Sequence, residues 1–440
     1  MITSPAWKDK KYAVLGLARS GRATVEALLA AGADVLVWDD REEAREPYNG
    51  RCAIGDPLEA DLTGYAGVVV SPGVPLNTHP IKPHADKFGV PVIGDVELFA
   101  QAREHLPPHK VVGITGTNGK STTTALVHHI LKTAGVPTTM GGNIGLPILE
   151  QEPLPEGGIY VLELSSYQID LTYSLDCDVA VLLNITPDHL DRYDGDFAKY
   201  AASKARLFEM QTSDHWAVCQ AQDWFHGQKV GARAGGGNLE VSDDVFYQSR
   251  QYNSNSVEQA EQDQWPTLQG PHNLRNVEAA LCVSYILEVP VDEIRKALRG
   301  FPGLPHRMER VAEISGVAYV NDSKGTNTAA SAPALAAFDN IHWILGGLAK
   351  EPGLGECEAE LPHVKAAYTI GKAGPDFAAL LEGRVPVEQC ETLDRAVTAA
   401  AAKADAGDTV LLSPACASFD QYTDFEKRGE HFRELVEALV

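Results

Sequence analysis

Gly-Thr-Asn-Gly-Lys-Ser-Thr, residues 116–122, packs two glycines, a lysine and a hydroxyl into one turn. That combination suits a polyphosphate. Glycines let backbone N–H groups approach an anion, and a helix N-terminus behind them adds positive potential. Lys120 can reach β- and γ-phosphates, and the Ser121 hydroxyl can ligate Mg²⁺. The usual pattern would carry Gly at position 114, where Ile stands, so the segment is a variant. The apolar run 111–114 predicts a strand before it and 123–132 a helix after it, the setting a phosphate cradle requires.

Other chemistry-bearing residues follow apolar runs. Glu163 closes the run 159–164, and a carboxylate there either helps hold Mg²⁺ or is an ordinary polar strand end. His189 lies in Asn184-Ile-Thr-Pro-Asp-His-Leu-Asp-Arg192 after the run 179–184. It either faces the same cleft or serves as a structural hydrogen-bonding group. Lys204 sits on a helix expected over 196–208, where pattern alone does not separate it from Lys199 and a lone Lys is usually solvated. Further on come His306-Arg307, the polar segment 321–327 after an apolar run, and the small-residue segment 413–419. The second reads as a binding loop. The third either lets backbone approach a ligand or is a tight packing turn.

These groups need a scaffold, and the pattern supplies one. Strands are expected at 34–38, 67–70, 111–114, 159–164, 179–184, 317–320, 343–345, 367–370 and 409–412. Helices are expected at 23–31, 123–132, 196–208, 276–287 and 393–404. Alternating strands and helices imply α/β architecture with parallel sheets, whose ligands sit at the C-terminal strand ends. The Gly16 turn departs from G-x-G-x-x-G by Ala18, and it is either a binding turn or a structural one; Ser71-Pro72-Gly73 carries the same two readings. Pro107-Pro108 and 301–305 mark breaks between units. The stretch 231–265 reads as a surface excursion with short edge strands and no chemistry.

At 440 residues the length suggests about three domains. The net charge of -23 argues against a general nucleic-acid or membrane-surface binder. Seven scattered cysteines without a C-x-x-C pair suit a reducing cytoplasm and argue against a disulfide framework or zinc site. No signal peptide is visible, and no apolar run is long enough to span a bilayer.

Taken in order, the motifs resemble the Mur ligase family, ATP-dependent amide ligases of peptidoglycan precursor synthesis. The resemblance rests on G-T-N-G-K-S-T, G-x-H-N-x-x-N (270–276), L-P-H-R (304–307) and N-D-S-K-x-T-N (321–327). These motifs are shared with sister ligases and folylpolyglutamate synthetases. G-D-V-E-L (94–98), G-G-N-I-G (141–145), L-S-P-A-C-A-S (412–418) and F-E-x-R-G (425–429) most resemble the member that joins D-glutamate to UDP-N-acetylmuramoyl-L-alanine.

The resemblance implies three domains: a Rossmann-like UDP-binding domain (1–98), a P-loop ATPase-like domain (99–303) and a Rossmann-like amino-acid domain (304–440). Leu17, Ala18, Arg19, Ser20, Asp39, Asp40, Arg41, Ser71, Pro72 and Gly73 would lie by the UDP part, with Asn143 and His189 at the muramoyl-alanine end. The family usually has Gly where Ala18 stands. ATP would meet Gly116, Thr117, Asn118, Gly119, Lys120, Ser121, Thr122 and Thr123, together with Asn273, Arg307 and Asp322. One Mg²⁺ would sit on Ser121 and Glu163, a second between His189 and a carbamylated Lys204. Lys324, Thr326, Ser418 and Phe425 would hold D-glutamate, with Lys350 assisting. Lys120, His189 and Lys204 are the expected catalytic residues, with His189 the candidate proton acceptor. The reaction implied passes through an acyl phosphate, and a cytoplasmic monomer is expected. A sister ligase or an L-glutamate-using variant is the alternative, since enantiomers make the same polar contacts differently arranged. A nucleotide switch without turnover would not need Lys120, Glu163, His189, Lys204 and Lys324 together, and a dehydrogenase built on the Gly16 turn leaves 116–124 unexplained.

Overall fold

The computed structural model describes residues 1–219, 259–350 and 352–439. Sixteen strands make three sheets among the described residues. The first contains β1 (Lys11–Leu15), β2 (Asp34–Trp38), β3 (Ala53–Ile54), β4 (Tyr65–Val70) and β5 (Val92–Ile93) in the order β3-β2-β1-β4-β5, all parallel. The second contains β6 (His109–Thr115), β7 (Thr138–Gly142), β8 (Gly158–Glu163), β9 (Val179–Leu182) and β10 (Trp216–Cys219) in the order β10-β9-β6-β8-β7, again parallel. The third contains β11 (Glu309–Ile314), β12 (Val317–Asn321), β13 (Ile341–Gly346), β14 (Val364–Ile370), β15 (Val387–Glu391) and β16 (Thr409–Leu412). Its order is β11-β12-β16-β13-β14-β15, parallel except for β11 against β12.

Strands covered on both faces read as unbroken apolar runs rather than alternations. Accordingly β8, β9, β13 and β16 are buried at every position. Strand order reverses at β1, between β2 and β4, and at β6, between β8 and β9. Such reversals open a crevice at the C-terminal strand ends. The turns at Gly16 and Gly116 leave β1 and β6 at those two points. In the third sheet the segments after β12, β13 and β16 leave three adjacent parallel strands at one edge.

The chain forms two compact units: one holds the first two sheets with Glu278–Ala297, the other the third sheet with the segment ending at Val277. The first two sheets share one apolar core, which runs from Ile2, Val14 and Val37 to Val111, Leu162 and Phe208. Glu97, buried on the helix Asp95–Ala102, accepts hydrogen bonds from Tyr173 N (2.7 Å), Ser174 N (2.9 Å) and Ser174 Oγ (2.8 Å). The G-D-V-E-L motif thus ties the first sheet to the second. The expected boundary after residue 98 falls within that helix.

Most elements fall where expected. The helix expected from 276 begins earlier, as Pro271–Ile286, because proline suits a first helical turn whose N–H has no partner anyway. The strand expected over 179–184 stops at Leu182, since Asn184 turns its amide and carbonyl to the neighbouring loop. The expected excursion at 231–265 lies outside the described residues up to 258; its described end is the 3₁₀ helix Gln259–Gln264. All seven cysteines are free. Among the described residues no helix is long and apolar enough to cross a membrane.

Candidate active site

The phosphate loop is built at the end of β6. Gly116 has φ +152° and Gly119 φ +83°, the latter a left-handed N-cap without side-chain capping. A side chain at Gly116 would meet Leu183 Cβ at 3.0 Å and Asn184 N at 3.3 Å. The first N–H groups of the helix Lys120–Thr133 therefore stay available to an anion. Ile114 stands inside β6, fully buried and paired with Glu163, so the glycine of the usual pattern has no turn to make there. Asn184 pins the loop: Asn118 N donates to its Oδ1 (2.8 Å), its Nδ2 donates to Asn118 O (3.0 Å), and Thr117 N donates to its carbonyl (3.0 Å).

Two lysines meet under this loop. Lys120 Nζ donates to Gly116 O (2.9 Å) and Thr117 O (2.7 Å). Lys204 Nζ donates to the same Gly116 O (2.9 Å) and approaches Thr115 Oγ1 (3.4 Å). Lys204 is 1% exposed on the helix Phe197–Glu209, whereas Lys199 is solvated and paired with Asp194 at 2.7 Å. The solvated reading of Lys204 is thereby overturned: packing brings the one lysine inside and leaves the other out. Burial, reinforced by the Lys120 charge, pushes the Lys204 amine down to about 7. An amine so depressed is substantially neutral and nucleophilic near neutral pH.

Glu163 ends β8 with 2% exposure. Its Oε1 accepts from Asn143 Nδ2 (3.0 Å), and its Oε2 is buried without a hydrogen-bond partner. An orphaned carboxylate oxygen beside a phosphate loop fits a hard cation. No cluster of three or more His, Cys, Asp or Glu side chains with metal-binding geometry occurs among the described residues. His189 is exposed, with φ +52°, 3.5 Å from Asp188 and 5.4 Å ring-to-ring from Tyr167.

The crevice between the first two sheets is bridged by side chains of both. Arg19 Nη2 donates to Gly145 O (2.8 Å), beside Asn143. Arg192 Nη2 donates to Pro72 O (2.9 Å) while its guanidinium stacks 4.3 Å from the Tyr167 ring centroid. Asn77 Nδ2 donates to Asp191 O (2.9 Å). Asp39 holds the first turn, accepting from Leu17 N (2.7 Å) and Arg41 N (3.1 Å), and Ser71 Oγ donates to Gly16 O (2.9 Å). Ala18 caps its helix at φ −72°, so no glycine is required for its backbone. Asp40, Arg41 and Gly73 are exposed.

Asn273, Arg307 and Asp322 belong to the other unit. Asp322 is buried, accepts from Ser413 Oγ (2.7 Å) and Met308 N (3.2 Å), and is pushed up to about 7 by burial, against the pull of Ser413 and Arg307. Arg307 Nε is buried without a partner. Asn273 Nδ2 donates to Gln269 O and its Oδ1 accepts from Asn276 Nδ2. Nearby, Lys324 Nζ lies 5.6 Å from the Phe425 ring centroid, Lys350 Nζ reaches Thr326 Oγ1 at 3.5 Å, and Ser418 is buried. The tertiary fold thus brings Lys324 to Phe425 and Lys350 to Thr326, residues of separate segments expected to serve the amino acid. Asn184, Arg192 and Arg428 went unassigned in the sequence; for Asn184 the signal was its place after an apolar run neighbouring β6.

Three α/β sheets, one of them ending in a phosphate loop, define a nucleotide-binding protein, and the chain belongs to the Mur ligase family. Its residues 10–94 match the Mur ligase MurD-like N-terminal domain, 114–284 the Mur ligase middle domain, and 306–416 the Mur ligase glutamate ligase domain. The chain is 61% identical over 440 residues to the UDP-N-acetylmuramoylalanine–D-glutamate ligase of Novosphingobium aromaticivorans, covering 100% of this chain and 97% of that protein. It is 52% identical to the ligase of the same name from Zymomonas mobilis, covering 100% of both. Among solved structures, UDP-N-acetylmuramate–alanine ligase MurC of Thermotoga maritima superposes with a TM-score of 0.57 at 16% identity, covering 98% of this chain and 100% of that one. MurF ligase of the same organism, in complex with ADP, gives 0.56 at 16% identity, covering 99% and 97%. Both share the fold.

Proposed function

We propose that this chain is an ATP-dependent amide ligase that joins D-glutamate to UDP-N-acetylmuramoyl-L-alanine in the cytoplasm, as a step of peptidoglycan precursor synthesis. The observation that carries the reading is the convergence of Lys120 and Lys204 on Gly116 O beneath the glycine turn.

A carboxylate is a poor electrophile, so ATP must activate it. The alanyl carboxylate oxygen attacks the γ-phosphorus, the bond to the β,γ-bridging oxygen breaks, and ADP leaves an acyl phosphate. The helix N-terminus at Lys120 and the Lys120 ammonium would offset charge building between two anions. Bound Mg²⁺ would supply further charge neutralisation, held at one position by Ser121 and Glu163 and at a second by His189 and Lys204. For Lys204 to serve as an anionic ligand it must be carbamylated. Its buried, proton-poor amine supports that, because the neutral amine is the form that adds to CO₂. Asn143 and His189 would orient the muramoyl-alanine end, and the turns at 17–20, 39–41 and 71–73 the UDP part. Asn273, Arg307 and Asp322 would complete the nucleotide site. The amino group of glutamate then attacks the acyl carbon, the tetrahedral intermediate expels phosphate, and a base takes the amine proton; His189 is our candidate. Lys324, Thr326, Lys350, Ser418 and Phe425 would hold the amino acid. The domain boundaries at 98/99 and 303/304 and a monomeric state belong to the same reading.

The test is phosphate release from ATP. It should require UDP-N-acetylmuramoyl-L-alanine and D-glutamate together. Equal release with L-alanine, L-lysine, meso-diaminopimelate or L-glutamate in place of D-glutamate would overturn the specificity.

A further inference from the structure

Arg428 lies on the helix Phe425–Glu437 and is 1% exposed. Its Nε donates to Ser323 Oγ (3.0 Å) and its Nη2 to Ser323 O (2.8 Å) and Cys416 O (3.1 Å). Ser323 Oγ in turn donates to Phe425 O (2.8 Å). Nη1 is buried without a hydrogen-bond partner, and a Cβ added to Gly347 would stand 3.3 Å from it. Four segments meet around this guanidinium: it bonds 321–327 and 413–418 directly, Ser323 links it to the helix start at Phe425, and Gly347 of 346–350 lies beside Nη1. Those four carry every residue assigned above to the amino acid.

The charge of this group has no close partner. Among the described residues no ion pair links Arg428 to a carboxylate; Asp420 and Asp322 act on it only at a distance. Burial pulls its ionisation down to about 10, which leaves it cationic at neutral pH. An unpaired buried cation is costly, and the same shape could be filled by apolar side chains at lower cost. A group kept under those terms calls for an anion that arrives from outside. Glutamate brings two carboxylates against one ammonium.

We propose that Arg428 is a positioning residue of the amino-acid site, clamping the four segments together and supplying a fixed positive charge that selects an anionic side chain over a neutral isostere. The assignment rests on the amino-acid reading of that site. In a low-dielectric interior a fixed charge acts on a ligand it does not touch, because solvent does not screen it. The fork of the guanidinium holds two carbonyls and a hydroxyl at once, a geometry an ammonium does not reproduce.

The experiment uses the full-length chain and its Arg428→Gln, Arg428→Lys and Ser323→Ala variants. Steady-state KM is measured for D-glutamate, ATP and UDP-N-acetylmuramoyl-L-alanine, and Ki for D-glutamine as a competitor of D-glutamate. Arg428→Gln should raise the D-glutamate KM by about tenfold or more, the size expected for losing one buried charge contact. The KM for the other two substrates should stay within about twofold and the D-glutamine Ki within about threefold. Arg428→Lys should recover the preference for glutamate over glutamine but not the full affinity. Should Arg428→Gln fail to melt cooperatively, the other two variants decide. Ser323→Ala should raise the D-glutamate KM by about two- to fivefold with the glutamate-to-glutamine ratio unchanged, as for one hydrogen-bond partner lost. Equal weakening of glutamate and glutamine in Arg428→Gln, a parallel rise of all three KM values in that variant, or unaltered kinetics in Arg428→Lys and Ser323→Ala would overturn the proposal. Absence of phosphate release by the unmodified chain with D-glutamate would instead overturn the reading of the site itself.

Discussion

Lys204 shows how one residue type takes its chemistry from its surroundings. On the helix surface, Lys199 is an ordinary cation paired with Asp194; five residues on, about a turn and a half, Lys204 is sealed under the phosphate loop. Its folded value near 7, against 10.5 for the free side chain, makes a stability prediction. Between these values the unfolded chain holds a proton that the native chain lacks, so stability rises with pH across the window. Below it both states are protonated and above it neither is. In CO₂-depleted buffer, unfolding free energy should climb from about pH 7 to about pH 10.5 relative to Lys204→Met. Parallel curves would show that the amine is not depressed. Adding bicarbonate to the depleted enzyme should raise turnover of the unmodified chain and leave Lys204→Ala inactive. Glu163 makes a second case. Removing the charge in Glu163→Gln should raise the Mg²⁺ concentration for half-maximal activity by about tenfold or more, with the D-glutamate KM little changed. An unchanged Mg²⁺ profile would remove Glu163 from the metal site.

At the scale of elements, the phosphate loop depends on a neighbour rather than on itself. β6 delivers the turn, yet Asn184, just beyond β9, makes the bonds that hold Asn118 in place. The two strands are adjacent in the sheet though far apart in the chain. Asn184→Ala should leave the strand intact and cost roughly 1 kcal/mol of stability, from the loss of a solvent-accessible hydrogen-bond pair. It should raise the ATP KM several-fold while the D-glutamate KM holds. A urea titration and substrate kinetics check both halves, and a loss confined to kcat would contradict the pinning role. The motif as a string of residues revealed a phosphate loop; the element that pins it became visible only with the sheet order.

On the scale of the molecule, length suggested about three domains, and the described residues form three sheets. The first two nevertheless share one apolar core and one buried carboxylate, Glu97. Glu97→Ala would leave the N–H groups of Tyr173 and Ser174 without their acceptor. The expected cost is about 2–6 kcal/mol, with two orphaned donors at roughly 1–3 kcal/mol each. Hydrogen exchange should then quicken in β1 and β8 together, because the two sheets open as one body. Acceleration in only one of them would show that the sheets unfold independently.

What the sequence determined by itself was whatever depends on short-range pattern. Apolar runs placed the central parallel strands, because a strand covered on both faces must be apolar throughout, and missed the shorter or more polar β3, β5, β7, β10 and β15 nearer the sheet edges. The glycine turn, its lysine and its hydroxyl named the phosphate because their spacing is local to one turn. Ordered motifs carried the family. Burial and charge balance were decided only by tertiary structure, since both are set by residues distant along the chain. Lys204 could not be separated from Lys199 until packing placed one inside. Glu163, by pattern either a metal ligand or an ordinary polar strand end, leans to the former through a buried oxygen left without a partner. Arg428, an unremarked letter of F-E-x-R-G, became the hub of a site when four segments closed around it and none brought a countercharge.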